Sequence, residues 1–295
     1  MWAVHLDLLY KIRRINFNKF RYSQIRKDRK IQSNNMNRAT KLFKKIIVFT
    51  TVVISFPFAG LAQADNEIQV YASSITPKNI TLFELHQNYT FNGVKGLSNP
   101  VAARWFDQTL EITRGLGKNW EIGFYTFTGL SPNGKYQYLG NHIRPRFTVP
   151  ESWGWKLGAS VSLELGFIRP DDNTQYVMDG ELRPIVDKTF GNWYFSLNPN
   201  VAFNLTGEDK FFGIGPQFKT VYNVKQKFGL GIEYYSSLGT FKKITALNEQ
   251  EHLLGPIFDL YSNPKWELQT GLLFGLTPGS NQQVFKLIVG RRVGK

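Results

Sequence analysis

The stretch Trp155-Lys156-Leu157-Gly158-Ala159-Ser160-Val161-Ser162-Leu163-Glu164-Leu165-Gly166-Phe167 decides the fold. Every odd-numbered residue in it is apolar, and every even-numbered one is polar, charged or glycine. Neighbouring side chains on a strand point to opposite faces, so a period of two describes a strand with one dry and one wet face. Thirteen alternating positions exceed the roughly 5–6 residues of an ordinary soluble strand.

The pattern recurs downstream. Trp193, Phe195, Leu197, Pro199, Val201, Phe203 and Leu205 alternate with Tyr194, Ser196, Asn198, Asn200, Ala202 and Asn204. Phe228, Leu230, Ile232 and Tyr234 form a third set, and Trp266, Leu268, Thr270, Leu272 and Phe274 a fourth. Each set opens with a large aromatic. With Trp120 added, the openers stand at 120, 155, 193, 228 and 266, at intervals of 35, 38, 35 and 38. A fixed interval of this kind means that one supersecondary unit is repeated.

Between openers the chain reads as a strand going out, a polar loop, and a strand returning to a tight turn. The turns contain Gly115-Leu116-Gly117-Lys118-Asn119, Pro150-Glu151-Ser152-Trp153-Gly154, Gly191-Asn192, Lys225-Gln226-Lys227 and Asn263-Pro264-Lys265. The opposite connections are often longer, as at Arg169–Thr174 and Thr240–Glu251. A first strand near Thr81–Asn92 and a last near Val284–Val293 bring the total to about twelve, an even number with both termini on the short-turn side.

Composition narrows the class. The chain has 295 residues, 42% apolar and 15% aromatic, with no cysteine. That is enough for a core, and it excludes a disulfide scaffold, a thiolate metal site and a cysteine nucleophile. The net charge of +14 would suit a nucleic-acid partner, but it is unevenly spread. Thirteen of the 36 basic residues, against two of the 22 acidic ones, precede residue 65, so the remainder carries only about +3. No nucleic-acid partner is expected.

The charged front has its own explanation. From Met36 the sequence runs MNRATKLFKKIIVFTTVVISFPFAGLAQA, with a basic start, an apolar stretch from Ile46 to Phe56 and the exit Ala62-Gln63-Ala64 before Asp65. These are the three parts of a secretory signal peptide. Pro57 and the shortness of the run argue against a membrane anchor, and Asp65 stands where a lipid anchor would need cysteine. The basic residues 1–35 read as an upstream extension, or a start set too early. The expected organisation is therefore an extension (1–35), a signal peptide (36–64), a periplasmic N-terminal segment or short lumen plug (65–80) and a barrel (81–295).

A soluble sandwich or lipocalin-like barrel would turn the apolar faces inward; an outer-membrane barrel turns them to lipid. A row of aromatics at one level is what a membrane girdle needs. Strand length, export signal, even count and turn asymmetry agree with it. The expectation is an all-β fold, a single antiparallel transmembrane β-barrel of about 12 strands in the bacterial outer membrane.

Phe106–Gly115, then Asn119-Trp120-Glu121-Ile122-Gly123-Phe124, the Gly-Pro-x strands and the closing hairpin resemble a family of Gram-negative outer-membrane transporters, named for the meta-cleavage pathway of phenol degradation. The resemblance covers the region after the signal peptide and implies a barrel inserted by the barrel assembly machinery. Such barrels usually close on an aromatic, whereas this chain ends Gly290-Arg291-Arg292-Val293-Gly294-Lys295.

Strand parity assigns the faces. His142, Arg144, Arg146, Lys156, Glu164, Asp179, Glu181, Arg183, Lys219, Glu233, Asp259 and Glu267 fall on the lumen side, where rings of fixed charge tune which solutes pass. Trp120, Trp155, Trp193, Phe228 and Trp266 form the outward girdle. The expected function is a channel or transporter for small solutes; the alternatives are a plugged structural or receptor barrel, and a lipid hydrolase or acyltransferase. That last chemistry needs a serine activated by histidine, and His86, His142 and His252 have no suitably placed serine in sequence. No phosphate loop, HExxH, EF-hand or clustered metal motif is present, so no cofactor is expected. Pro145, Pro184, Pro199, Pro216 and Pro256 sit at mid-strand on the outward face, implying bulges or bends, with a lateral opening as the alternative.

Overall fold

The computed structural model describes residues 67–94, 105–169, 175–207, 210–224, 227–261 and 263–294; the expected extension and signal peptide lie outside these. Twelve strands follow one another: β1 Thr81–Val94, β2 Trp105–Gly117, β3 Trp120–Leu130, β4 Tyr136–Thr148, β5 Gly158–Ile168 and β6 Val177–Phe190. β7 Trp193–Asn204, β8 Phe211–Val224, β9 Phe228–Ser237, β10 Glu251–Leu260, β11 Trp266–Gly275 and β12 Asn281–Val293 complete the set. Each pairs antiparallel with its sequence neighbours, and β1 pairs with β12, from Thr81 opposite Val293 to Val94 opposite Asn281. The sheet closes on itself, which leaves no unpaired edge.

Alternation fixes the faces as expected. On β5, Val161, Leu163 and Phe167 are exposed on the outside, while Ser160 and Ser162 are buried inside. Thr109, Glu111, Asn198, Glu233 and Lys286 are all buried, so the barrel is apolar without and polar within. This inverts the soluble arrangement and matches a strand whose outer side meets hydrocarbon.

The short turns define one rim. At Lys118 and Asn119, φ is +52° and +70°, the pair of left-handed residues a two-residue hairpin needs to match strand twist. Trp120, Trp193, Phe228 and Trp266 begin β3, β7, β9 and β11 at this rim, and the three tryptophans are exposed. Partner strands add aromatics at the same level: Phe147 lies 5.1 Å from Trp120 and Tyr222 5.1 Å from Trp193.

Two local expectations are corrected. The connection after β4 is a 3-10 turn, Glu151–Trp153, closed by left-handed Gly154, so the chain rejoins the ladder only at Gly158. Trp155 and Lys156 therefore precede β5 and are both exposed, so strand parity does not assign Lys156 to the lumen. Of the bulges or bends expected at the prolines, the bulges do not form. Pairing on β4–β5 lapses around Pro145 and on β10–β11 around Pro256, yet register is the same on either side. The register shifts lie elsewhere, at Thr90/Asn92, Gly115/Gly117 and Phe127/Thr128. A missing N–H interrupts the ladder without requiring an extra residue.

The segment ahead of β1, expected as a periplasmic segment or a short lumen plug, packs against the barrel wall. Ile68, Val70, Tyr71, Ser73 and Thr76 are buried. Ile68 and Val70 pack with Tyr235, Leu253, Leu273 and Val284, near the long-loop ends of β9 to β12. At the other end, Asn79 N donates to Gly115 O and Gly115 N to Ile80 O. The segment thus runs inside the barrel, reaching the short-turn rim where β1 begins.

Candidate functional site in the barrel interior

The interior groups its charges around this segment. The ring of Tyr71 is covered by three guanidinium groups, Arg183 at 4.7 Å, Arg144 at 4.9 Å and Arg146 at 5.4 Å. β4 presents Arg144 and Arg146 two residues apart, and β6, two strands along the same wall, presents Arg183, so strand parity alone aims all three inward.

Each arginine is also committed to anions or carbonyls. Arg144 pairs with Glu111 and lies 3.4 Å from Glu121. Arg146 donates to the main-chain oxygens of Ala72 and Ser74, the latter at 3.0 Å, and stands 3.5 Å from Glu121. Arg183 pairs with Glu181 and donates to Gln69 O at 3.0 Å. The adjoining strand β7 holds the segment by its backbone: Tyr71 N donates to Asn198 Oδ1 at 2.7 Å, while Ser196 Oγ and Asn198 Nδ2 donate to Tyr71 O. Thr76 N donates to Glu121 at 2.6 Å and Ser73 N to Asp187 at 2.6 Å. Hydrogen bonds of this kind gain strength from the charged partner.

Two further clusters lie apart. His142 bridges Glu164 at 2.7 Å and Asp179 at 2.8 Å. Lys219 meets Asp259 at 2.8 Å and Glu233 at 3.5 Å, while Lys286 meets Glu233 at 2.7 Å and donates to Gln269. Glu267 is half-buried and pairs with Arg292 at the short-turn rim. Of the twelve residues read from parity, the three arginines meet at Tyr71 with Glu181. His142 gathers Glu164 and Asp179; Lys219 gathers Glu233 and Asp259. Glu267 stands by itself at the rim, and Lys156 joins none.

Sequence reading missed Glu111, Glu121 and Lys286, although the alternation Asp107, Thr109, Glu111, Thr113 on β2 carries the same signal. It also missed that Glu67, His86 and Glu111 offer ligand atoms within 4.8 Å of one another, a spacing that could hold a metal ion. Glu111 is already engaged by Arg144 and Thr113. Among the described residues, no histidine ring bonds a serine hydroxyl. His252 meets Ser280 through its main chain, and its ring faces Tyr234 OH and Gln250.

The fold is that of an outer-membrane β-barrel, closed by twelve antiparallel strands around a charged, partly filled lumen. Among solved structures, the chain is similar to an outer membrane channel from Pseudomonas putida F1. The match has 14% identity and a TM-score of 0.54, and covers 77% of this chain and 100% of that one. The NanC porin is more distant, with 8% identity, a TM-score of 0.48, and 72% and 99% of the two chains covered. No family model matches, and no curated protein does.

Proposed function

We propose that this protein is an outer-membrane channel that passes small solutes through a charged lumen narrowed by its own N-terminal segment. The observation that carries the reading is the inversion of polarity: exposed Leu163 outside and buried Glu111, Arg144 and Lys286 inside, around a closed barrel. Such an interior is costly to bury in an impermeable core, whereas a hydrated pathway uses its charges to set barriers for ions. The fold shared with the Pseudomonas putida F1 channel is consistent with this. Narrower kinship with the phenol meta-pathway transporter family rests on the Phe106–Gly115 and Asn119–Phe124 patterning alone. Export by the signal peptide at 36–64, insertion by the barrel assembly machinery and residence among outer-membrane lipid belong to the same proposal, as do the lumen and girdle roles assigned by parity.

A plugged structural barrel is the second reading, favoured by the stacking of three arginines on Tyr71. Planar-bilayer recordings on the purified full barrel separate the two. A channel gives discrete conductance steps, and Arg144→Gln or Arg146→Gln shifts its ion preference. Silence in the native protein and in variants lacking the Tyr71 ring would leave the structural reading.

A further inference from the structure

At the long-loop end, Glu67 and Ile68 form part of the lining of a cavity of about 110 Å³, which β7 to β10 and the β9–β10 loop also line. This is well above the roughly 10–15 Å³ that admits a single water. Its space owes much to glycine: a Cβ at Gly215 would come within 3.3 Å of Asn200 Oδ1 and 2.6 Å of Ser236 O.

The polar lining is unbalanced. Asn200 and Gln217 are 5% and 9% exposed, and Asn200 Oδ1 and Gln217 Oε1 have no hydrogen-bond partner. The orientation of the Asn200 amide is fixed, because Nδ2 donates to Glu181 at 2.7 Å. A buried carbonyl oxygen without a donor is costly, so the pair calls for N–H or O–H groups from a ligand. Glu67, Glu249 and Glu251 also line the cavity, and no lysine, arginine or histidine does. The charge complement is therefore a cation. Among the described residues these three carboxylates do not close to within 4.8 Å of one another, as the ligands of a bare metal ion would. Ile68, Phe211 and Leu253 supply an apolar wall suited to a short carbon chain.

We infer that this cavity binds a small organic ammonium ion, whose N–H groups donate to Asn200 Oδ1 and Gln217 Oε1 while Glu249 balances its charge. As a selector at the mouth of a pathway, the cavity rests on the channel reading; as a binding site it does not.

The test titrates propylammonium chloride calorimetrically into the purified full barrel, with propan-1-ol, sodium propanoate and calcium chloride as controls. The same solutes are then applied in bilayer recordings. The expected result is saturable binding of propylammonium alone, weakened at least tenfold by Gln217→Leu and by Glu249→Gln, with block of the native current only. Glu249 is exposed on the β9–β10 loop, so its variant keeps the test valid if Gln217→Leu misfolds. Conductance without saturable binding overturns the site and leaves the channel standing. Equal displacement by calcium overturns the ammonium assignment, as does binding unchanged in both variants. Binding that follows the variants in a silent barrel supports the site and removes the channel reading instead.

Discussion

Leu163 and Glu164 are adjacent in the chain and opposite in environment. Leu163 lies exposed on the outer face, paired in register with Leu182, while Glu164 reaches inward to His142 at 2.7 Å. Arginine at mid-bilayer on the lipid face costs about 2–4 kcal/mol, so Leu163→Arg should fail to fold into lipid vesicles, as read by heat-modifiable gel mobility. Glu164→Gln should fold there normally. The reverse outcome would mean that the faces are inverted and the barrel is soluble. Glu233 supports a second prediction, because its carboxylate stands between Lys219 and Lys286. Glu233→Gln leaves two buried ammonium groups with Asp259 as their nearest carboxylate, and losing one partner of a buried pair typically costs about 3–5 kcal/mol. The urea midpoint should fall accordingly; a shift within error would show that water already solvates the cluster. Parity made Glu233 and Glu164 legible as inward residues. It could not tell which charges meet, because the partners are remote in sequence: Lys286 lies 53 residues from Glu233.

The element that sequence alone resolved least is the segment Glu67–Ile80. It joins no ladder apart from the bridge of Lys78 to Gly115, so it carries no period of two. Its bonds to the arginines also use main-chain oxygens of Gln69, Ala72 and Ser74, which leave no side-chain signature. The strands were legible for the opposite reason, since each repeats one constraint ten or more times, and only the β5 start and the effect of the prolines departed from expectation. Gly115 on β2 is what lets the segment pass: a Cβ there would sit 2.1 Å from Pro77 O and 2.3 Å from Thr76 O, both backbone atoms that cannot swing aside. Gly115→Ala should therefore dislodge the segment while the barrel closes normally. The expected readout is a larger single-channel conductance, matched by deletion of residues 68–76. Unchanged conductance in both variants would mean that the segment does not limit the pathway.

At the scale of the whole molecule, the repeat of 35 and 38 residues already contained the strand count, because each interval holds one hairpin and closure needs an even number. What the repeat could not contain is how the chain enters the barrel. Glu67 lines a cavity at the long-loop end, whereas β1 starts at the opposite rim, so residues 67–80 run from one end of the lumen to the other. Cleavage after Ala64 would leave only Asp65 and Asn66 ahead of Glu67; without it, 66 residues precede that position, 13 of them basic. A basic start, a short apolar stretch and a small-residue exit are the form of a signal that is removed on export. N-terminal sequencing of the protein extracted from outer membranes should accordingly begin at Asp65, or within a residue or two of it. An intact Met1 or Met36 terminus on folded, membrane-extracted protein would overturn the processing assignment.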